Sequence, residues 1–190
     1  MRAAEAIVAD GKRASSVISR MRTLLKKQNA IMAELDINDA IQEVASLLGN
    51  ESSRHQIVMR TDLATGLPRV RGDRVQLQQV IVNLIMNAVD ATRAISNGPR
   101  EILIRSAKQA ETVVVSVEDT GTGLTPEQME RIFEPFFTTK PQGIGMGLSI
   151  SRSIVESHNG KLFATSRTPR GAKFEFTLPT RGAGDAAGAS

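Results

Sequence analysis

The first thirty positions place small or apolar residues at Ala4, Ile7, Gly11, Ala14, Ile18, Met21 and Leu25. The steps alternate between three and four, the seam of a coiled coil or helix bundle, and predict one long N-terminal helix over 1–30. Arg13, Arg20, Lys26 and Lys27 fall off that seam. A lone helix of this length is marginal in water, so its stripe needs a partner: a second chain, a preceding helix, or the domain that follows. After about residue 30 the pattern changes. AIMAELDI reads as a short strand running into a helix over LDINDAIQEVASLL, with Asp36 or Asn38 as its cap. QIVMRTDL reads as a strand followed by a turn at Gly66 and Pro68. Asp73 caps a long helix through about Ile95, stopped by Asn97, Gly98 and Pro99. EILIRSAKQ and TVVVSVED form a hairpin, and Thr125 with Pro126 opens a short helix near PEQMERIF. A glycine-rich loop then leads to a helix from about Gly147 to Ser157, and KLFATSR and AKFEFTLP close the domain as strands. RGAGDAAGAS, residues 181–190, has nothing to bury and is expected to be a disordered tail. Strands and helices are mixed rather than alternating. The expected class is therefore α+β, with an antiparallel-rich sheet over 31–180 and helices on one face.

Composition narrows this picture. The 190 residues can hold one good-sized domain. Aromatic residues make up only 3%, with no Tyr and no Trp, so aliphatic side chains must form most of the interior. The absence of cysteine rules out a disulfide framework or a thiolate metal site. No apolar run approaches the ~18 residues a membrane span needs, and the start lacks a signal-peptide pattern. A cytoplasmic, soluble piece is expected, from a parent that could itself be membrane-anchored. The net charge of +4 suggests nucleic acid until it is located. Residues 1–30 alone carry seven basic and two acidic side chains, leaving −1 for the rest. The main domain has no basic stripe with interleaved aromatics, which argues against nucleic acid as a partner.

The long helix carries the first candidate chemistry. Gln79, Asn83 and Asn87 share one face at i, i+4 and i+8, with Gln76 and Asp90 beside them. Leu77, Val80, Ile81, Leu84 and Ala88 form the opposing apolar stripe. An amide oxygen suits magnesium, which keeps several waters and takes the rest of its shell from phosphate. Asn is a poor mid-helix residue and asks for a reason, although alone such a face can simply meet solvent. In VEDTGTGL, Asp119 ends a strand and can accept a hydrogen bond from an exocyclic amine, while Gly121 and Gly123 let the backbone approach a ring. An acid–glycine pair is also what an ordinary turn needs. Gly143, Gly145 and Gly147 precede a helix, where free N–H groups and the helix dipole favour phosphate oxygens. Their GxGxG spacing is neither a dinucleotide fingerprint nor a P-loop. Lys140 adds a point charge upstream. FEPFFTTKPQ holds three of the six Phe in a loop, apolar mass that closes over a ligand or a partner.

Four blocks thus follow one another: NLIMNAVDA (83–91), VEDTGTGL (117–124), FEPFFTTK (133–140) and GIGMGLSI (143–150). Together they resemble the N, G1, F and G2 boxes of the ATP-binding catalytic domain of sensor histidine kinases, in the superfamily that includes DNA gyrase and the mismatch-repair ATPase MutL. The resemblance runs from about residue 36 to 179, and FEPFFTTK and GIGMGLSI resemble the subgroup of oxygen sensors and nitrogen regulators. It implies a two-layer α/β sandwich of Bergerat type, a mixed sheet with three helices on one face and the nucleotide between helices and lid. It also implies that Asn87 coordinates magnesium and Asn83 supports the triphosphate. By the same resemblance Asp119 binds the adenine amine, Gly121 and Gly123 line the base, and Leu124 packs on it. Thr138, Thr139 and Lys140 would sit in the lid, and Gly143, Gly145, Gly147 and Leu148 around the phosphates. Thr177 would assist Asp119 through a water. Residues 1–30 resemble the second helix of the kinase dimerisation hairpin. The implied cofactors are ATP and Mg2+. The implied partners are the dimerisation and phosphoacceptor domain of the same kinase, in a homodimer, and a response regulator receiver domain.

One departure stands out. The family's phosphoacceptor histidine lies on a helix and is usually followed by an acid. His55 sits in SRHQIVMR at the start of a predicted strand, and His158 in SHNGK where the last helix ends, best read as a C-terminal cation or polar cap. The acceptor is therefore expected outside this chain, which should bind Mg-ATP without phosphorylating itself. Two rival functions remain open: a superfamily ATPase or ATP-driven switch, and a non-catalytic dimerisation or docking module.

Overall fold

The computed structural model describes residues 30–140 and 143–180. The predicted N-terminal helix and the C-terminal tail lie outside the described residues. In chain order the elements are β1 (Ala33–Leu35), α1 (Ile37–Arg54), β2 (Val58–Leu63), β3 (Val70–Gly72), α2 (Arg74–Arg93), β4 (Glu101–Gln109), β5 (Thr112–Asp119), α3 (Pro126–Arg131), α4 (Gly147–Ser157), β6 (Lys161–Ser166) and β7 (Ala172–Pro179).

Five strands form one sheet in the order β2-β4-β5-β7-β6. β2 runs parallel to β4, and the other three pairings are antiparallel. β1 and β3 make a separate antiparallel pair, with Ala33 opposite Gly72. β3 is absent from the sequence-based expectation, which placed only a turn at Gly66 and Pro68 between β2 and the cap at Asp73. α1, α2 and α4 pack on one face of the sheet, against Ile102, Ile104, Val113, Val115, Val117, Phe174 and Phe176, all buried. The apolar stripe of α2, from Leu77 through Val89, is buried as its helical spacing required. α3 buries none of its residues and is held by a capping box between Thr125 and Gln128. It stands outside the three-helix layer.

The helix starts are written in the chain. Asp36 accepts from Asn38 N, and Asp73 accepts from Gln76 N at 3.0 Å. The end of α1 is not. Apolar periodicity fades at Leu48, yet the helix continues to Arg54, with Ser52 buried and its hydroxyl donating to Leu48 O at 3.1 Å. His55 is consequently the C-cap of α1 and not, as the sequence suggested, the start of a strand.

His158 caps α4 and ties it to α2. The Asp73 backbone N–H donates to its Nε2 at 2.9 Å, so Nδ1 carries the proton and donates to Ile154 O at 2.7 Å. The imidazole is therefore a neutral, polar cap rather than a helix-end cation, and it is 1% exposed. His158→Ala orphans the Asp73 N–H and opens a cavity, a loss of about 3 kcal/mol that urea unfolding would register.

Candidate nucleotide site

Two helix faces and one strand end converge on the side of the domain carrying the four sequence blocks. On α2, Asn83 points toward α4, where its Nδ2 donates to Ser151 Oγ at 2.9 Å. This approach depends on Gly147: a Cβ there would lie 2.4 Å from Asn83 Oδ1. The N-cap of α4 is Met146, which makes no side-chain capping bond. The first N–H groups of α4 are thus left for another acceptor, beside the Asn83 amide. A cavity of about 190 Å³ lies between these helices, lined by Gln79, Asn83, Met86, Gly147 and Ser151 among others.

One turn further along α2, Asn87 meets the 133–140 loop. Lys140 Nζ donates to Asn87 Oδ1 at 2.8 Å and to Asp90 Oδ2 at 2.7 Å. An ammonium therefore stands on the two oxygens that the sequence places side by side. The loop before Lys140 is anchored by its aromatics. Phe133 and Phe137 pack against the core, with the Arg131 guanidinium 4.7 Å over Phe137 and that of Arg152 5.5 Å over Phe133. Phe136 is left 65% exposed. Thr138 Oγ1 accepts from Lys140 N at 3.1 Å, and Gly143 N donates to Lys140 O at 3.0 Å. Thr139 is exposed. Gly145 lies against the Phe136 backbone, and Leu148 packs on the core from the first turn of α4.

Asp119 ends β5 almost fully buried. Its Oδ1 accepts from Gly121 N at 2.7 Å and from Ala172 N at 3.4 Å. Among the described residues no hydrogen bond reaches Oδ2. Burial holds the Asp119 carboxyl above the usual carboxylate range, while the Gly121 and Ala172 N–H groups and the Arg167 guanidinium pull it back down. A cavity of about 390 Å³ opens beside Gly121, between Ala94 and Asn97 at the end of α2 and Arg170. Gly123 follows in the same loop, and Leu124 packs partly against the core.

Thr177 does not belong to this arrangement. It pairs with Val114 on β5, five residues from Asp119, or about 17 Å along the strand. Its residue faces away from the helix layer, which takes Phe176 and Leu178, and its hydroxyl accepts from Lys161 N. The group that meets Asp119 from β7 is the Ala172 backbone N–H. Three further neighbours carry no role in the sequence reading: Asp90, Ser151 and Arg167. Asp90 was detectable, being three residues beyond Asn87 on the same helix. Nothing local marks Ser151 or Arg167.

Residues 72–182 match the family described as histidine kinase-, DNA gyrase B- and HSP90-like ATPase. The chain belongs to this family. It is 40% identical over 169 residues to the sensor protein FixL of Bradyrhizobium diazoefficiens, covering 88% of this chain and 33% of that protein. Its fold is similar to the catalytic domain of the histidine kinase ThkA, with a TM-score of 0.70 at 37% identity over 78% of this chain and 95% of that one. It is also similar to full-length ShkA in complex with AMPPNP, with a TM-score of 0.76 at 27% identity over 88% of this chain and 35% of that one. The chain spans about a fifth to a third of the length of the curated relatives it matches. Like these domains of the histidine kinase-type ATPase family, it is a mixed α+β sandwich. No helix among its described residues is long and apolar enough to cross a membrane.

Proposed function

We propose that this chain is the ATP-binding catalytic domain of a cytoplasmic sensor histidine kinase module, passing the ATP γ-phosphoryl to a histidine on another segment. The observation that carries the proposal is the convergence of Asn83, Asn87, Lys140 and the uncapped start of α4 on one side, with the buried Asp119 carboxylate bonded to the N–H of Gly121, which lines a cavity. In this reading Asp119 accepts from the adenine amine, Gly121, Gly123 and Leu124 surround the base, and Asn83 with the loop of Gly143, Gly145, Gly147 and Leu148 holds the phosphates.

Magnesium fits the donor set. The Lys140 ammonium already finds two oxygens there, Asn87 Oδ1 and Asp90 Oδ2, so a cation is welcome at that point. Among the described residues no group of three or more His, Cys, Asp or Glu side chains could hold a metal by itself. Asn87 would therefore hold the ion together with nucleotide phosphates, as magnesium prefers. When bound, the ion neutralises the charge that develops on the transferring phosphoryl group. With Mg-ATP bound, Lys140 would be released from Asn87 and Asp90 and its ammonium would be available to phosphate oxygens, with Thr138 and Thr139 in the lid around it. Asn83 is an amide and a poor base, so activation of water is weak and ATP is spared for the acceptor.

His158 cannot be that acceptor, because both ring nitrogens are bonded inside the core. His55 lies in the cap of α1 and is followed by Gln56 rather than an acid. The partners of the reading are the dimerisation and phosphoacceptor domain of a homodimeric kinase and the receiver domain of a response regulator. The test supplies that phosphoacceptor helix upstream of the chain and adds ATP labelled at the γ-phosphate. Acid-labile, base-stable label is expected on the supplied histidine and none on the chain alone. Steady phosphate release with no transfer would instead identify an ATPase.

A further inference from the structure

We infer that Arg167 is a positioning residue for base discrimination: from the opposite face of the sheet, it and Glu118 hold the strand end that presents Asp119. The inference rests on Asp119 as the acceptor of the adenine amine.

Glu118 and Asp119 are neighbours on β5, so their side chains point to opposite faces. Asp119 lies on the helix side, and Glu118 on the side without helices. Glu118 is nonetheless only 7% exposed, sandwiched between two arginines. Arg105 Nη1 lies 3.2 Å from its Oε1, and Arg167 Nε lies 3.3 Å from its Oε2. The same Arg167 guanidinium reaches past the carboxylate and donates from Nη1 to the Asp119 carbonyl at 3.0 Å. One planar fork thus grips the side chain of residue 118 and the main chain of residue 119, a geometry that lysine cannot reproduce.

The turn between β6 and β7, which carries Arg167, presses on the same point. Arg167 N donates to Gly171 O at 3.0 Å. Gly171 has φ +104°, and a Cβ there would lie 1.9 Å from the Asp119 carbonyl oxygen. Ala172 N then reaches Asp119 Oδ1. A carbonyl, a carboxylate and a strand end are held by one turn.

Such rigidity matters for recognising a purine. Adenine offers an N–H donor at the position where guanine offers a carbonyl oxygen, so a fixed carboxylate oxygen attracts one and repels the other. Discrimination of this kind needs the acceptor held within about 0.5 Å. Among the described residues the Asp119 carboxylate is hydrogen-bonded by the backbone N–H groups of Gly121 and Ala172 and by no side chain. The lateral hold comes through Arg167 instead.

Calorimetric titration of the full chain with Mg-ATP and Mg-GTP, alongside thermal unfolding, tests this. Arg167→Met is expected to weaken ATP binding about tenfold and to shrink the ATP-to-GTP affinity ratio by a similar factor. Arg167→Lys should recover part of that ratio. Glu118→Gln keeps the side-chain volume and should lower the ratio in the same direction, about threefold, and it carries the test if Arg167→Met does not fold. An Arg167 or Glu118 variant with a lowered melting temperature but an unchanged ratio overturns the inference, because a purely structural role would do just that. Asp119→Asn separates the two levels. If it abolishes ATP binding while the Arg167 ratio stays constant, base recognition by Asp119 survives and the positioning role falls. If it leaves ATP affinity intact, both fall.

Discussion

Asn87→Ala is expected to yield a folded domain that no longer distinguishes Mg-ATP from metal-free ATP. The one hydrogen bond described for the Asn87 side chain is to Lys140, an exposed lid residue. Its removal should cost the free domain no more than about 0.5 kcal/mol. The nucleotide effect should be far larger. An ion held by one amide oxygen and otherwise by phosphates has no protein substitute once that oxygen is gone, and the affinity for Mg-ATP should fall about a hundredfold. Asp90 remains, but it is already engaged by Lys140 at 2.7 Å and by Arg93 at 4.0 Å. Titrations with ATP in magnesium and in excess chelator read the result directly. Wild-type affinity in Asn87→Ala, still rising with magnesium, would remove the α2 amide face from the account.

Asp119→Asn should separate binding from folding in the opposite sense. Asn can keep its carbonyl at the Oδ1 position, where Gly121 N and Ala172 N donate, and this leaves an NH2 group where Oδ2 stood. A donor then faces the adenine amine, itself a donor, and ATP affinity should drop about a hundredfold. Stability should move the other way. Burial raises the Asp119 carboxyl above its unfolded value, so the ionised side chain weakens the fold. That weakening is absent below the unfolded carboxylate value, grows as pH rises, and is complete once pH passes the raised folded value. The neutral amide escapes it. Asp119→Asn should therefore melt at or above the wild-type temperature at neutral pH, with the gap closing in acid. A variant destabilised at neutral pH and unchanged in acid would contradict the assigned direction.

Both variants act at residues whose chemistry was visible in the chain, and this visibility has a physical origin. Asp36, Asp73 and Thr125 cap helices by bonding to N–H groups two or three residues away. The stripe of α2 buries Leu77, Val80, Ile81 and Leu84 because 3.6 residues per turn aligns them. Asn83 and Asn87 share a face for the same reason. Where the determining contact was distant, the chain alone misled or stayed silent. Thr177 was expected near Asp119 through the family resemblance alone, but strand register set it opposite Val114. The continuation of α1 past Leu48 carries a polar residue, Ser52, into the interior, which no apolar period could signal.

The amino-acid order alone determined every element but β3, the helix starts, the mixed α+β class and the four blocks that mark the histidine kinase-type ATPase family. These follow from forces acting within one or two turns of backbone. Only the folded arrangement decided that Lys140 rests on Asn87 across 53 residues, that Asn83 meets Ser151 across 68, and that Arg167 braces Asp119 across 48. Contacts of that span depend on strand order, on register and on how closely Gly147 and Gly171 let backbone approach its neighbours. No local pattern encodes them, because each is fixed by the packing of the whole sheet against its helices.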